Sequence, residues 1–373
     1  MSTLSTLSQP LLEVRGLCVD YGSGESAVNA VVSADLTLHG GEVFGLAGES
    51  GSGKSTLALS IARLLRMPGV ITDGEVVFRE GERSVNLLDA DAHQLRELRW
   101  NQIAVVLQSA MHALNPVLQI GTQLADVLQA HRHDLDRAAR RARAGELLEL
   151  VGIPTGRLSA YPHELSGGMR QRVMIAMALA LEPRLLIMDE PTTALDVVTQ
   201  REILEELMDL RERLGFAVLF ITHDLSLLIE IADTIAVMYA GRLVESAAAA
   251  QLYRAPRHPY SYGLLNSFPA LHGPREAMTG IAGSPPDLRQ LPAGCVFHPR
   301  CKYVMERCKH ESPPLVSPAK VSPGAPPRLV SCWLHDGAPQ TATPAELAVP
   351  DDLAMAGAAA APAVASPAAG SAS

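Results

Sequence analysis

Two glycine-rich turns in this chain carry the residue types that hold phosphate. Gly48-Glu49-Ser50-Gly51-Ser52-Gly53-Lys54-Ser55 fits the P-loop pattern G-x-x-x-x-G-K-S/T. In that pattern, glycines let backbone N–H groups face inward around an anion, and the following helix adds its positive N-terminal end. Lys54 would neutralise charge on β- and γ-phosphates, Ser55 would offer a hydroxyl to Mg2+, and Thr56 is placed to bond an α-phosphate. About a hundred and ten residues later, Leu165-Ser166-Gly167-Gly168 opens another helix with an N-terminus suited to phosphate. Leu186-Ile187-Met188 then runs into Asp189-Glu190. A carboxylate such as Asp189 at the end of a buried strand is costly unless it meets a cation or a water held by one, so a place beside Mg2+ is expected.

The elements that must position these residues are legible as short apolar runs. Residues 11–20 read as a strand, and residues 42–47 as a buried strand feeding the P-loop, with a helical pattern over 54–66. Ile103–Leu107, Leu185–Met188 and Val218–Ile221 are short, apolar and end abruptly in Gln108, Asp189-Glu190 and Thr222-His223. Continuous apolar strands alternating with helices imply a sheet buried on both faces, with ligands gathering at the carboxyl ends of its strands. Between Gln108 and Leu165 the pattern is helical only. Ile120, Leu124 and Leu128 form one amphipathic face, as do Leu147, Leu148 and Val151, so a helical subdomain of about 109–165 is inserted into the α/β core.

With 373 residues and 47 % hydrophobic content, the chain can form one large α/β domain and a smaller appendage. Its net charge of −9 argues against a nucleic-acid partner, and the basic run Arg137–Arg143 reads as a solvated helix face. No apolar run reaches the roughly twenty residues of a membrane span, and Met1–Ser5 shows no export-signal pattern. After about residue 245 the pattern loosens around Pro285-Pro286, Pro313-Pro314 and Pro326-Pro327. From about 338 the chain is rich in Ala, Pro and Ser without aromatics, so 338–373 is expected to be a disordered tail.

A P-loop followed by Leu-Ser-Gly-Gly and then by Asp189-Glu190 resembles the nucleotide-binding subunit of an ABC transporter. The resemblance implies an α/β P-loop NTPase core over 11–245, with the inserted helical subdomain and an antiparallel β part. It implies Glu190 as the general base for the attacking water, His223 as the residue contacting the γ-phosphate, and Gln108 as the residue approaching Mg2+ and that water. Tyr21, 27 residues before the P-loop, matches the aromatic that stacks on adenine. Such domains pack head to tail, so that Ser166, Gly167 and Gly168 of one complete the P-loop of the other, and Ala194-Leu195-Asp196 resembles the loop crossing that interface. With one set of motifs here, the second ATPase subunit is a separate chain, identical or homologous.

Leu114-Asn115-Pro116-Val117, His258-Pro259-Tyr260 and Gly294-Cys295-Val296-Phe297-His298-Pro299-Arg300-Cys301 narrow the resemblance to oligopeptide/dipeptide importer ATPases of the D type. It implies a loop-rich cysteine-containing module at 246–337, two membrane-spanning permease subunits, a periplasmic or extracellular substrate-binding protein, and a peripheral place on the cytoplasmic face of a bacterial inner membrane. The same machinery importing nickel, glutathione or another small solute is an alternative, as is a soluble ABC ATPase. Cys295, Cys301, Cys308 and Cys332 could hold tetrahedral Zn2+ or a cluster, and their spacings of 5, 6 and 23 intervening residues match neither a zinc ribbon nor the common ferredoxin run. The family resemblance favours a [4Fe–4S] cluster, with zinc and then free thiols as alternatives, and a redox sensor gating transport is a further reading. Cys18, in an apolar strand, is expected in the core.

Overall fold

The computed structural model describes residues 9–337 apart from 23, 25–26, 82, 109–112, 194, 268–279 and 319–326, together with 343–344 and 347–348. The chain opens with β1 (Pro10–Tyr21), β2 (Val28–His39) and β3 (Val43–Ala47), and the P-loop joins β3 to α1 (Lys54–Ile61). Next come β4 (Gly69–Glu80), β5 (Arg83–Asn86), α2 (Ala92–Leu98) and β6 (Ile103–Val106). The helices α3 (Ile120–His131), α4 (Arg137–Leu150) and α5 (Gly167–Ala178) follow without an intervening strand. The α/β pattern then resumes with β7 (Leu185–Asp189), α6 (Val197–Leu214), β8 (Ala217–Thr222), α7 (Leu225–Ile231), β9 (Thr234–Tyr239) and β10 (Arg242–Ala248). The last elements are α8 (Ala249–Arg254), α9 (Pro259–Leu265), α10 (Glu306–His310) and β11 (Leu329–Val330).

The strands form an antiparallel sheet in the order β2-β1-β4-β5 and a seven-stranded sheet in the order β11-β10-β9-β3-β8-β7-β6. In the larger sheet β9, β3, β8, β7 and β6 are parallel neighbours, and β10 and β11 add antiparallel pairs at one edge. Alternation along the parallel strands explains their unbroken apolar runs. Phe44, Leu46, Leu185, Ile187, Leu219 and Ile221 pack with α1 and the antiparallel sheet. Val43, Ala47, Leu186, Met188, Val218 and Phe220 face the opposite way, into a core shared with α3 to α7. Both faces of the sheet are therefore dry, as its composition requires.

The register aligns the strand ends. Ala47 pairs with Thr222, Ile221 with Asp189, and Met188 with Val106. The P-loop, His223, Glu190 and Gln108 all emerge from this one edge.

Three expectations need adjusting. The helix expected over 54–66 stops at Ile61, because Arg63 takes a left-handed backbone (φ 56°) and Pro68 cannot continue a helix. The expected boundary at 245/246 falls inside β10, and β11 pairs back onto it at Glu245 and Ser246. Leu252, Tyr260, Leu264, Val296 and Phe297 belong to the same core as the parallel strands. Cys18 is half-buried, not in the core, because its neighbours Leu17 and Val19 take the inward positions of a bulged strand. Most of the tail expected to be disordered lies outside the described residues, and of its four described positions Leu347 is fully buried. Among the described residues no helix is long and apolar enough to cross a membrane.

Candidate functional site

The P-loop is threaded between two strands. Gly53, the N-cap of α1, has φ 103°, and a Cβ there would lie 2.3 Å from the carbonyl oxygen of Ala30 on β2, so only glycine allows the turn. Lys54 is buried, and its Nζ donates to the carbonyls of Gly48 (2.8 Å) and Glu49 (2.9 Å), which curls the loop around its own ammonium group. Burial pulls the Lys54 pKa below the usual lysine value, opposed by the charges of Glu190, Asp189 and Glu49. Ser52 is also buried, and its Oγ has no hydrogen-bond partner within the protein. An orphaned hydroxyl inside an anion-cradling loop fits a bound phosphate. Gly51 and Ser50 form the exposed-side turn of the same loop, which closes with a Ser52 N–H bond to the Glu49 carbonyl at 3.2 Å.

The carboxylates at the end of β7 face this loop. Ser55 Oγ donates to Asp189 Oδ1 at 3.0 Å, and Asp189 is 3 % exposed. Burial raises the Asp189 pKa, with the Ser55 hydrogen bond and Lys54 acting against it and Glu190 with it. A hydroxyl and a buried carboxylate joined this way form an oxygen-donor pair suited to a hard cation.

Glu190 collects the other residues of the strand edge. Its Oε2 accepts from Gln108 Nε2 (3.1 Å) and Thr193 Oγ1 (3.1 Å), while His223 Nδ1 lies 3.4 Å from Oε1. Its backbone is left-handed (φ 45°), a conformation rare for a residue with a Cβ, and its N–H is held by the Ile221 carbonyl at 2.9 Å. Strain of this kind persists only where surrounding structure imposes it, and it gathers at functional sites. Tyr21 ends β1, and its Oη lies 3.4 Å from Thr56 Oγ1, so the ring stands beside the start of α1.

The second glycine turn belongs to another part of the molecule. Ser166 caps α5, its Oγ accepting from Met169 N at 3.2 Å, and Gly167 begins the helix. A Cβ on Gly168 would meet Thr199 Cγ2 of α6 at 2.6 Å, so glycine sets how closely these helices pack. Asp196 caps α6 through Thr199 N (3.0 Å), and this bond holds its carboxyl below the usual range. Among the described residues no hydrogen bond or ion pair joins 166–168 or Asp196 to the P-loop. Of Ala194-Leu195-Asp196, expected to cross an interface, the first residue lies outside the described residues.

A family model of ABC transporters matches residues 31–193, and a model of the oligopeptide/dipeptide transporter C-terminal region matches 244–308. The chain is 43 % identical over 327 residues to the oligopeptide transport ATP-binding protein OppD of Haemophilus influenzae, covering 87 % of this chain and 97 % of that one. The chain belongs to the ABC transporter ATP-binding subunits. It is also 42 % identical over 339 residues to OppD of Bacillus subtilis, with 90 % and 92 % of the two chains covered. Among solved structures it is similar to a dimeric ATP-binding cassette in a post-hydrolysis state bound to ADP and Pi. That match has a TM-score of 0.56 and 29 % identity, and covers 64 % of this chain and 98 % of that one. As a member of this family the ATPase subunit hydrolyses ATP.

In the C-terminal part of the ATPase subunit, Cys295, Cys301, Cys308 and Cys332 line one small apolar pocket with His258, Phe297 and Trp333. None of the four is in a disulfide. Burial pushes the Cys301 thiol up to about 11 and raises those of Cys295 and Cys332 as well. Among the described residues, however, no group of three or more His, Cys, Asp or Glu side chains is arranged to hold a metal ion. The expected iron–sulfur or zinc site is therefore not supported by the arrangement of the described residues, which shows four thiols around one pocket without the ligand geometry of a metal centre.

Several residues at or near the site escaped the sequence reading. Thr193, three positions after Glu190, had a signal in Pro191-Thr192-Thr193 but no strand to place it. Arg300 and Tyr260 reach Glu49 of the P-loop from more than two hundred residues away, a contact that no local pattern carries.

Proposed function

We propose that this ATPase subunit powers import of peptides through an ABC transporter of a bacterial inner membrane, lying peripherally on its cytoplasmic face. The printed names of the OppD relatives and the match to the oligopeptide/dipeptide C-terminal region support the cargo class. The observation that carries the catalytic part is the convergence of Gln108, Thr193 and His223 on the Glu190 carboxylate, beside the Lys54–Ser55–Asp189 group.

In this reading the P-loop main chain from Gly48 to Gly53 and Lys54 hold the β- and γ-phosphates. Thr56 holds the α-phosphate, and Tyr21 stacks on adenine. Ser55 and Gln108 hold Mg2+ with Asp189 beside them; the ion supplies charge neutralisation on the phosphates. Glu190 takes the proton of the attacking water, oriented by Gln108, and His223 contacts the γ-phosphate. Ser166, Gly167 and Gly168 act on the P-loop of a second ATPase subunit, identical or homologous, and Asp196 lies at that interface. Their separation from this chain's own P-loop network supports the pairing. Two permease subunits and a substrate-binding protein complete the transporter.

The four thiols are proposed to hold a [4Fe–4S] cluster, with zinc as the alternative. Supporting this are four cysteines, none in a disulfide, that line one apolar pocket, four thiolates being a ligand set such a cluster takes.

Purification of the full-length subunit from detergent extract under anaerobic conditions tests these assignments together. Co-purification of a second ATPase and permease chains, with ATP hydrolysis that rises when peptide-loaded binding protein is added, is expected. Hydrolysis that responds to a nickel- or glutathione-loaded binding protein instead would replace the cargo. A preparation with neither iron nor zinc would remove the metal centre.

A further inference from the structure

The second residue of the P-loop is tied to the C-terminal segment at two places. The Glu49 backbone N–H donates to Tyr260 Oη at 2.9 Å, and the Glu49 carboxylate accepts a bidentate pair from Arg300 at 2.7 and 3.0 Å. The Arg300 side chain is 6 % exposed. It is fixed in turn by donation from Nε to the Ala282 carbonyl (3.0 Å) and from Nη1 to Tyr239 Oη (3.3 Å). Tyr260 is fully buried, with ring centroids 4.6 Å from Tyr239 and 5.4 Å from Phe297. Its own N–H donates to His258 Nδ1 at 3.0 Å, so the His-Pro-Tyr motif is the mounting of this contact. Burial holds His258 down at about 4 and keeps that nitrogen an acceptor.

A carboxylate on a loop that binds triphosphate opposes its ligand unless its charge is cancelled. A bidentate guanidinium cancels the charge and fixes its direction, which a mobile lysine does less well. The Tyr260 hydroxyl holds the adjoining main chain, whose N–H groups must keep their inward aim for phosphate.

We infer that Arg300 and Tyr260 are positioning residues of the ATPase site, holding Glu49 so that the P-loop accepts the triphosphate. This rests on the P-loop being the ATP site and is independent of the cargo. The contact bears on bound ATP before and during hydrolysis alike, so its loss falls on affinity and KM rather than on kcat. The same short segment, Cys295–Cys301, carries Phe297 and Arg300 and lines the cysteine pocket. The C-terminal module is thereby part of the nucleotide site.

The test is equilibrium binding of Mg-ATP to the full-length subunit and steady-state hydrolysis in the assembled transporter. Arg300→Gln is expected to weaken Kd and KM about ten-fold with kcat within about two-fold of wild type, and Arg300→Lys to recover part of the loss. Adding Glu49→Gln to Arg300→Gln is expected to restore most of the affinity, since the unpaired carboxylate is then gone. Tyr260→Phe, which removes one hydroxyl from a packed ring, is expected to weaken Kd about three-fold and stands in if the Arg300 variants fail to fold. An unchanged Kd in Arg300→Gln or Tyr260→Phe, or a double variant as weak as Arg300→Gln alone, would overturn the inference, the last because a purely structural arginine is not rescued by neutralising its partner. Lys54→Ala serves as the separate control: if it bound Mg-ATP normally, the ATP site itself would be misplaced.

Discussion

The strand edge that carries the nucleotide residues and the segment that carries the cysteines are built by different means. At the edge, position is set by main chain. Parallel ladders pair Ala47 with Thr222, Ile221 with Asp189 and Met188 with Val106, and each polar residue then needs only to follow its strand within one or two positions. In the C-terminal segment the regular elements are short, and side chains do the positioning. Glu245, fully buried on β10, accepts from Arg257 N (2.8 Å), His258 N (2.9 Å) and Arg328 Nη2 (2.6 Å), while Arg328 also donates to the Ala255 carbonyl. One carboxylate thus ties together β10, the start of α9 and the chain entering β11. A site borne on a ladder can hold strained, reactive groups without unfolding. A fold borne on a buried ion pair cannot lose one partner, because the other is then left as an uncompensated charge.

Substitutions that separate chemistry from stability would sharpen or break this contrast. Glu190→Gln is expected to lower ATP turnover in the assembled transporter by about 10²- to 10⁴-fold, while Mg-ATP affinity and the unfolding temperature stay near wild type. Turnover close to normal would place the base elsewhere. Glu245→Ala should do the reverse. Breaking this buried pair with Arg328, whose side chain is 1 % exposed, should cost about 3–5 kcal/mol, seen as a fall in melting temperature on the order of 10 °C with kcat of the folded fraction kept. A shift of only a degree or two would mean that the segment does not depend on this carboxylate. The smallest effect is expected from Thr193→Ala, which removes one hydrogen bond to Glu190 worth about 1 kcal/mol, or about five-fold in kcat. If kcat were unchanged and stability fell instead, Thr193 would be a loop residue rather than a support of the base.

What could be foreseen follows the same division. The P-loop, Asp189-Glu190, His223 and Gln108 follow strands whose apolar runs are local, so their convergence on one edge is legible in the sequence. The helical pattern over 54–66 outruns α1, because a left-handed Arg63 has no signature in its own side chain. The apolar run around Cys18 does not show its half-buried place, because bulges in β1 turn Leu17 and Val19 inward instead. The proline-rich irregularity after residue 245 gives no local sign that Leu252, Tyr260, Leu264, Val296 and Phe297 share the core of the parallel sheet.

Motif chemistry is written in neighbouring residues, because a loop that cradles phosphate needs its glycines, lysine and hydroxyl within a few positions of one another. The amino-acid order therefore carried the strand–loop–helix frame and the family resemblance that implies ATP hydrolysis, with Glu190 as its expected base. Contacts between residues far apart along the chain depend on how layers stack, and that is decided only when the whole core closes. Tertiary structure alone placed Thr193 on Glu190, gathered four cysteines around one pocket, and set Arg300 and Tyr260 against the P-loop.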